Sequence, residues 1–273
     1  MTSPNTILEE IFEHKQAEVA QRKKSLDDHT IRLRAAEQNP PLDFFSALKQ
    51  AKLALIAEIK RASPSKGEFG LKYSASELAQ LYAAHGAAAI SVLTDERYFR
   101  GSLEDLRAVA QLPQRVPLLQ KDFLCDPYQV YEARAYGADA VLLIASYLDF
   151  GLMQELHDLA TELGMAALVE VHTARELEKA LRLRGLRIIG VNNRNLHDFS
   201  VNLRTCLELR PHVPSELLLV AESGIQSADD IRLLIEHGIT AFLVGEALVR
   251  SGNPAQTLRE FLLEKDESKD LRH

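Results

Sequence analysis

Lysine and glutamate side chains recur at the ends of short apolar stretches, where paired acids and bases could do chemistry. Glu58 and Lys60 close the first stretch, and later stretches carry Lys121, Glu170 and Glu222. Both residue types are poor strand formers and are rarely fully buried without a partner. Unlike charges that crowd together shift each other's pKa, which makes a lysine a usable acid and a glutamate a usable base. The pattern predicts one composite acid–base site.

A structural salt-bridge network inside the fold is the alternative interpretation of these charges. A single lysine–glutamate pair would favour that alternative. Here two lysines and three glutamates recur together, and a further strand end supplies Asn192 and Arg194. This concentration of polar groups favours an active site.

The elements that must position these residues repeat as a helical segment, a glycine and an apolar strand. We predict strands at residues 55–60, 88–93, 117–121, 140–144, 166–171, 188–192, 217–222 and 241–245. The predicted helices cover residues 76–85, 102–112, 127–136, 151–163, 174–184, 202–209, 228–237 and 254–263. Continuous apolar strands are typical of a parallel sheet covered on both faces, and eight such units predict an α/β protein with a (β/α)8 TIM barrel. A doubly wound open sheet is disfavoured because no G-x-G-x-x-G motif follows the first strand.

Glycines mark the ends of the predicted helices. Those at positions 86, 137, 164, 185 and 238 stand where a helix needs a left-handed C-terminal residue. His85 and His237 precede two of them, and a cation there suits the negative end of a helix. Both histidines are therefore predicted to cap helices and not to bind a ligand.

Residues 1–50 do not fit the repeat and are predicted to form an N-terminal helical extension packed on the barrel. The extension would contain a helix at residues 6–24, a break at Pro40 and Pro41, and a short helix at residues 42–49. Residues 51–263 would form the catalytic barrel, and residues 264–273 a charged tail. The sequence leaves open whether the extension covers the mouth or the bottom of the barrel.

Two glycine-containing segments indicate an anion site. Catalytic groups of a (β/α)8 barrel lie at the carboxyl ends of the strands, and phosphate is often held after strands seven and eight. The segments AESGI and LVGEAL occupy those places, with Ser223, Gly224, Gly245 and Glu246 as the candidate residues. Ordinary turn glycines are the alternative. We expect the carboxylate of Glu246 to point away from an anion and only its backbone N–H to serve.

Composition limits the classes of function. A net charge of −7 argues against extensive nucleic-acid binding, and no apolar run reaches the roughly 20 residues of a membrane span. No signal peptide is evident, and two distant cysteines suit a reducing compartment, so a cytoplasmic protein is expected. No metal-binding spacing is present. Cys125 is interpreted as a structural or incidental thiol. His172 could line the mouth, but it is expected to face solvent.

Seven segments, taken in order, resemble the indole-3-glycerol-phosphate synthase family. They are IAEIKRASPSKG, SVLTDERYFRGSLEDL, LLQKDFLCDPYQVYEARAYGADAVLLI, ALVEVHT, IIGVNNRNL, AESGI and AFLVGEALV, and the helix ILEEIFEHKQAEVAQRK resembles the family's extension. The resemblance covers nearly the whole chain and implies the single-function form. It implies conversion of 1-(2-carboxyphenylamino)-1-deoxyribulose 5-phosphate to indole-3-glycerol phosphate, carbon dioxide and water. No cofactor would be needed, and a monomer is the working expectation.

The resemblance also implies roles for the acid–base residues. Lys121 would be the general acid for ring closure, and Glu170 the acid or base of the dehydration. Lys60 would hold the substrate carboxylate and could donate the second proton, with Glu58 positioning these groups. The division of the two proton transfers between these residues stays open.

The remaining candidate residues would bind the substrate. Asn192 and Glu222 would bind sugar hydroxyls and order the lysines, and Arg194 would fix Asn192. The phosphate cradle would comprise Ser63, Ser223, Gly224, Gly245 and Glu246, while Phe123 and Leu196 would enclose the aromatic ring. Phosphoribosylanthranilate isomerase is a rival within the same class, but it needs a cysteine after strand one, whereas Cys125 follows strand three. A non-catalytic barrel is the rival from another class, and the complete lysine–glutamate set argues against it.

Overall fold

The computed structural model describes residues 7–64, 66–70, 72–195 and 200–263. The strands are β1 (Ala54–Ile59), β2 (Ala62–Ser63), β3 (Gly67–Glu68), β4 (Ala89–Leu93), β5 (Leu118–Lys121), β6 (Ala140–Ile144), β7 (Ala166–Val171), β8 (Ile188–Asn192), β9 (Leu218–Glu222) and β10 (Ala241–Val244). Strands β2 and β3 pair as a small antiparallel hairpin, and the other eight form a closed barrel. All eight barrel pairings are parallel, and β1 closes the ring against β10. The predicted (β/α)8 barrel is confirmed.

Helices alternate with the barrel strands. They are α1 (Ile7–Ser25), α2 (Asp28–Ala36), α3 (Phe44–Gln50), α4 (Ala75–Ala84), α5 (Glu96–Phe99), α6 (Leu103–Ala110), α7 (Pro127–Ala135), α8 (Phe150–Glu162), α9 (Ala174–Ala180), α10 (Arg204–Leu209), α11 (Ala228–Glu236), α12 (Glu246–Arg250) and α13 (Pro254–Phe261), with a 3-10 turn at Arg210–His212. Helices α2, α5 and α12 and the β2–β3 hairpin were not predicted. No helix in the described part of the chain is long and apolar enough to cross a membrane.

The helix ends follow the predicted chemistry. The glycines at 86, 137, 164, 185 and 238 all have φ between 74° and 90°, a backbone conformation that favours glycine because it has no Cβ. The ring nitrogen Nδ1 of His85 lies 2.8 Å from the carbonyl oxygen of Leu81, and that of His237 lies 2.9 Å from Leu233. Both histidines terminate their helices, as predicted.

The extension reaches both ends of the barrel, which answers the question that the sequence left open. Phe12 of α1 is fully buried against Phe123 and Tyr147, beyond the carboxyl ends of the strands. Helix α3 packs under the amino ends of β1 and β4, and α2 packs along α7 on the side. Residues 264–273, the predicted tail, lie outside the described residues.

Two apolar layers form the core of the barrel. One lies between the outer faces of the strands and the helices, and the other fills the barrel interior below the mouth. The interior layer contains branched aliphatic residues such as Ile56, Leu119, Leu168 and Val220. Above it, the strand ends turn polar side chains toward a common opening, which positions the site.

Candidate active site

The first strand places a close ion pair at the mouth of the barrel. Glu58 lies on β1 and is 4% exposed. Lys60 follows the strand, and its Nζ lies 2.7 Å from Oε1 of Glu58. Both side chains line the mouth cavity. The carboxylate therefore orients the ammonium group at the edge of the opening.

A second lysine lies at the centre of the site. Nζ of Lys121, the last residue of β5, lies 3.3 Å from Oε2 of Glu170 and 3.8 Å from Oε2 of Glu222. Burial alone would lower the pKa of Lys121, but the carboxylates of Glu170, Glu222 and Glu58 outweigh burial and raise it above its usual value. Lys121 is thus held as an ammonium that can donate a proton.

The two central glutamates have opposite pKa shifts. Burial would raise the pKa of Glu170, but Lys121 and His172 prevail and lower it. Burial and the charge of Glu170 together raise the pKa of Glu222 well above its usual value. While ionised, Glu222 has no hydrogen-bond donor for either oxygen among the described residues. The protonated form can donate to Glu170, so the site combines a carboxylate with a neutral carboxyl group.

Asn192, the last residue of β8, and Arg194 form the next part of the mouth. Oδ1 of Asn192 accepts a hydrogen bond from the backbone N–H of Arg194 at 3.0 Å, and the Asn192 side chain also hydrogen-bonds Glu170. The guanidinium of Arg194 lies 3.4 Å from the carboxylate of Glu246, which also contacts Arg250 at 3.3 Å. The Glu246 carboxylate is therefore neutralised by two arginines.

The residues that were predicted to bind phosphate lie at the mouth cavity. Ser63, Ser223, Gly224, Gly245 and Glu246 all line it. Ser223 has φ 61° and Gly224 has φ 83°, so the chain turns sharply after β9. The Ser63 hydroxyl is buried and finds no hydrogen-bond partner in the described part of the chain. These features leave a donor and a tight backbone turn facing the opening.

Two glycines also make room for the buried carboxylates. A Cβ at Gly245 would overlap the Glu58 carboxylate and lie 3.0 Å from its Cβ. A Cβ at Gly190, on β8, would overlap the carboxylate of Glu222. Gly245 therefore has a packing role that the sequence did not suggest, and Gly190 was not singled out at all.

Aromatic and aliphatic side chains also line the mouth cavity. The ring of Phe123 lies 5.4 Å from Phe12 and 5.9 Å from Phe99, centroid to centroid. Sequence reasoning missed Phe99, Leu8 and Ile11, which line the same cavity. The sequence predicts the helix at residues 6–24, but it does not show that the apolar side chains of this helix lie over the mouth. Leu196, the predicted partner of Phe123, lies outside the described residues.

His172 is not solvent-facing, so that prediction is wrong. Its side chain is 11% exposed, with Nε2 3.4 Å from Oε1 of Glu170 and Nδ1 3.3 Å from Oε2 of Glu176. Glu176 lies in the first turn of α9 and also accepts the backbone N–H of His172 at 2.7 Å. The short turn between β7 and α9 folds this glutamate back over the ring and buries it.

No metal centre accompanies these groups within the residues that the structure describes. No cluster of three or more histidine, cysteine, aspartate or glutamate side chains there could hold a metal ion. Cys125 is half-buried and Cys206 is buried, and both are free thiols. Burial, with the charge of Asp126, raises the pKa of Cys125 to about 11. Within the described site, lysine, glutamate and histidine side chains supply proton donors and acceptors.

The closed barrel and the lysine and glutamate side chains at its mouth define the class of (β/α)8-barrel proteins with a candidate acid–base site. A family model described as indole-3-glycerol phosphate synthase matches residues 8–261. The chain belongs to this family, and the predicted family and enzyme class, a carboxy-lyase of tryptophan biosynthesis, are confirmed.

Individual relatives support this membership. The chain is 49% identical to the indole-3-glycerol phosphate synthase of Roseiflexus castenholzii over 264 residues, covering 94% of this chain and 98% of that protein. It is 50% identical to the protein of the same name from Dehalococcoides mccartyi, covering 82% of this chain and 86% of that protein. Among solved structures, 3-hexulose-6-phosphate synthase from Salmonella typhimurium is similar with a TM-score of 0.61 and 14% identity, covering 77% of this chain and 96% of that one. That last likeness concerns the fold alone.

Proposed function

We propose that the chain converts 1-(2-carboxyphenylamino)-1-deoxyribulose 5-phosphate into indole-3-glycerol phosphate, carbon dioxide and water by the residues described above. The observation that carries the proposal is the Lys121 ammonium held 3.3 Å from Glu170 and 3.8 Å from Glu222 at the barrel mouth. Ring closure needs a proton donor at the substrate carbonyl, and dehydration needs a donor and a base. The site contains both kinds of group within reach of one small molecule.

Lys121 is the acid of the first step. It donates a proton to the carbonyl oxygen while the aryl ring carbon attacks the carbonyl carbon. Loss of carbon dioxide then restores the aromatic ring. The raised pKa of Lys121, produced by its carboxylate neighbours against the effect of burial, keeps the donor charged before substrate binds. The same charge stabilises the negative charge that develops on the carbonyl oxygen.

Glu170 is the base of the second step. It accepts a proton from the ring-closed intermediate as the hydroxyl group leaves as water. Its lowered pKa keeps it ionised at neutral pH. Lys60, held by Glu58 at 2.7 Å, binds the substrate carboxylate and donates the proton that the departing hydroxyl needs. The two lysines thereby serve two successive proton donations.

Glu222 and Asn192 bind the sugar portion. A neutral Glu222 carboxyl group can donate a hydrogen bond and accept one, which suits a hydroxyl group better than a carboxylate would. Asn192, fixed by the backbone of Arg194 at 3.0 Å, supplies a donor and an acceptor beside it. Both residues also keep Glu170 in place.

The phosphate binds after β9 and β10, and Gly245 in this region lies against Glu58, the partner of Lys60. Ser63 offers a hydroxyl that has no hydrogen-bond partner among the residues described. The turns containing Ser223, Gly224 and Gly245 offer backbone N–H groups. Glu246 contributes its backbone N–H, while its carboxylate pairs with Arg194 and Arg250. These donors and the nearby cations attract an anion despite the net charge of −7, because a local field dominates in a low-dielectric pocket.

The aromatic ring of the substrate packs on the apolar wall. Phe123 provides one face, and we propose that Leu196 provides the other. The edge contact of Phe123 with Phe12, at 5.4 Å, fixes its orientation. Phe99, the last residue of α5, extends the apolar surface from the segment after β4.

The reaction involves only acid–base steps, so we expect no cofactor. A monomeric state, a cytoplasmic location and the absence of nucleic-acid binding stay predictions from the sequence.

The direct test is an assay with the ribulose substrate. Purified protein should convert it with appearance of indole fluorescence and release of carbon dioxide in equal amounts. The variant Lys121→Ala should lose activity. Its matched control is Lys52→Ala, which should keep activity because Lys52 is an exposed lysine outside the site. Absence of fluorescence with the unmodified protein would reject the proposed reaction, and equal activity of both variants would reject the site.

A further inference from the structure

The loop between β5 and α7 carries one of the aromatic side chains that line the mouth cavity. Phe123 lies in this loop, two residues after Lys121. The next residue, Leu124, is 1% exposed and packs in the outer apolar layer, between the strands and the helices. Residues 122–126 form neither helix nor strand. The position of the Phe123 ring therefore depends on how other side chains hold the backbone of this loop.

A buried glutamine of α7 binds the loop at two points. Gln129 is 1% exposed, and its Nε2 donates a hydrogen bond to the carbonyl oxygen of Phe123 at 3.2 Å. Its Oε1 accepts a hydrogen bond from the backbone N–H of Cys125 at 2.8 Å. One amide group thus binds the backbone on both sides of Leu124. Because one contact needs a donor and the other an acceptor, the amide fits in one orientation only.

A buried carboxylate fixes the other side of Phe123. Oδ1 of Asp122 accepts the backbone N–H of Phe123 at 2.7 Å, and Asp122 is 2% exposed. The N–H and the carbonyl group of Phe123 are therefore both bound by buried side chains. With both groups fixed, the loop cannot turn about Leu124 and move the ring away from Phe12, whose ring centroid lies 5.4 Å away.

Helix capping is the alternative role for Gln129. It is the third residue of α7, where a glutamine or glutamate commonly accepts the backbone N–H of the N-cap residue. The N-cap of α7 is Asp126. Gln129 reaches past Asp126 to Cys125 and Phe123, in the direction of the mouth. A capping residue needs only an acceptor, whereas the contact with the Phe123 carbonyl needs a donor.

We propose that Gln129 is a positioning residue that acts through Phe123, an assignment that rests on the proposed function. Gln129 lies outside the set of described residues that line the mouth cavity, so it acts on the substrate only through the loop. Phe123 packs on the aromatic ring of the substrate, and ring closure needs the aryl carbon held close to the carbonyl carbon. Gln129 keeps the surface on which that ring rests in one place.

The variant Gln129→Met tests the proposal, because it removes both hydrogen bonds and keeps the length of the side chain. The value of kcat/KM for the ribulose substrate should fall on the order of 10²-fold, the cost of a misplacement of about 1 Å at the reacting atoms. The inhibition constant of inorganic phosphate should stay unchanged, because the proposed phosphate residues follow β9 and β10. Weakened phosphate binding would indicate general damage to the barrel and would overturn the proposal.

Gln154→Met is the matched control. Gln154 lies on α8, and its Oε1 accepts the backbone N–H of Arg184 at 2.9 Å while its Nε2 donates to Asp158 at 2.7 Å. Arg184 precedes β8, at the end of the barrel away from the mouth. The control should therefore lose two hydrogen bonds and keep the kinetics of the unmodified protein. Equal losses of kcat/KM in Gln129→Met and Gln154→Met would overturn the proposal.

Gln129→Glu separates positioning from helix capping. Its carboxylate can still accept the N–H of Cys125, but it cannot donate to the carbonyl oxygen of Phe123. We expect kcat/KM to fall as it does in Gln129→Met. Unchanged kcat/KM would show that an acceptor is enough, which is the capping role, and would overturn the proposal. This variant also decides the question if Gln129→Met does not fold.

A double-mutant cycle with Phe123→Ala identifies the side chain through which Gln129 acts. If that side chain is Phe123, Gln129→Met should cause no further loss of kcat/KM in the Phe123→Ala background. The same fold-loss in both backgrounds would show that Gln129 acts elsewhere and would overturn the proposal. Absence of turnover in the unmodified protein would instead reject the proposed function itself.

Discussion

The amino group of Lys15, in the first helix, lies 3.0 Å from Oδ1 of Asp122, the residue that follows Lys121. It also lies 2.8 Å from Oδ2 of Asp95, and the lysine side chain is completely buried. Asp122 accepts further hydrogen bonds from the Thr94 hydroxyl at 2.5 Å and the backbone N–H of Phe123 at 2.7 Å. The extension thus supplies the charge that fixes the loop beside the candidate acid.

Replacement of Lys15 by Met should destabilise the protein strongly. Asp95 and Asp122 are both buried, and loss of one partner of a buried ion pair leaves an uncompensated charge that costs about 3–5 kcal/mol. The midpoint of urea unfolding should fall accordingly. Lys23→Met is the matched control in the same helix, because the Lys23–Asp126 pair is about one-third exposed and is worth at most about 1 kcal/mol. Similar midpoints for the two variants would contradict this role of Lys15.

Lys121→Ala should leave the fold intact and lower kcat on the order of 10²-fold or more, the usual contribution of a positioned acid. Circular dichroism should match wild type, because the barrel strands do not depend on this side chain for packing. Turnover near the wild-type rate would remove Lys121 from its role. The exposed Lys52→Ala variant controls for the loss of one positive charge.

Glu170→Gln should impair turnover more than affinity. The amide keeps the shape of the side chain and can still contact Asn192, but it cannot accept the proton in the dehydration. Steady-state kinetics should show a large fall in kcat with little change in KM. A rise in KM alone would show that Glu170 binds substrate and does not act as the base.

Glu222→Gln should stabilise the protein at neutral and alkaline pH. The folded-state pKa of Glu222 is raised by burial and by Glu170, so its favourable protonated state is fully present below the unfolded-state pKa and is lost as pH rises through the folded-state value. Gln mimics the protonated form at every pH. The gain in Tm over wild type should therefore grow between pH 4 and pH 8, while kcat/KM falls. A gain that is equal at both pH values would contradict the pKa shift.

Gly245→Ala should damage both stability and activity. The new Cβ would overlap the Glu58 carboxylate, and overpacking of this kind costs about 1–3 kcal/mol. Displacement of Glu58 also releases Lys60, so kcat/KM for the ribulose substrate should drop. Gly151→Ala serves as the control, since its nearest neighbour would be the Asp149 carboxylate at 3.3 Å and it lies in α8. Equal kinetics of the two variants would argue against the packing role.

Much of the barrel was predictable because its strands are buried on both faces. All eight appear in the sequence as apolar runs, and β6, β7 and β8 have the predicted limits. Helix α2 escaped prediction because its sequence, DHTIRLRAA, is mostly polar and its stability depends on packing against α7. The five-residue helix α12 is too short to give a periodic signal.

The polar residues of the site were predictable for a different reason. Charged groups at strand ends stand out against apolar runs, and a barrel brings all strand ends to one opening. The position of His172 depends on how tightly the chain turns after β7, which local sequence does not determine. The space that Gly190 leaves for Glu222 is likewise a contact between neighbouring strands, so no pattern within one segment reveals it.

The placement of the extension has a consequence for biosynthesis. Helix α1 is the first described element to leave the ribosome, yet Lys15 needs Asp95 and Asp122, and its last turn meets α7 through Glu132 and Asp126. Strand β1 likewise waits for β10, almost 200 positions later, before the ring can close. Because domains usually begin to fold during synthesis, the earliest residues must remain without their partners for most of translation. The charged groups of the nascent amino-terminal helix therefore stay in water until β5 and α7 have been synthesised.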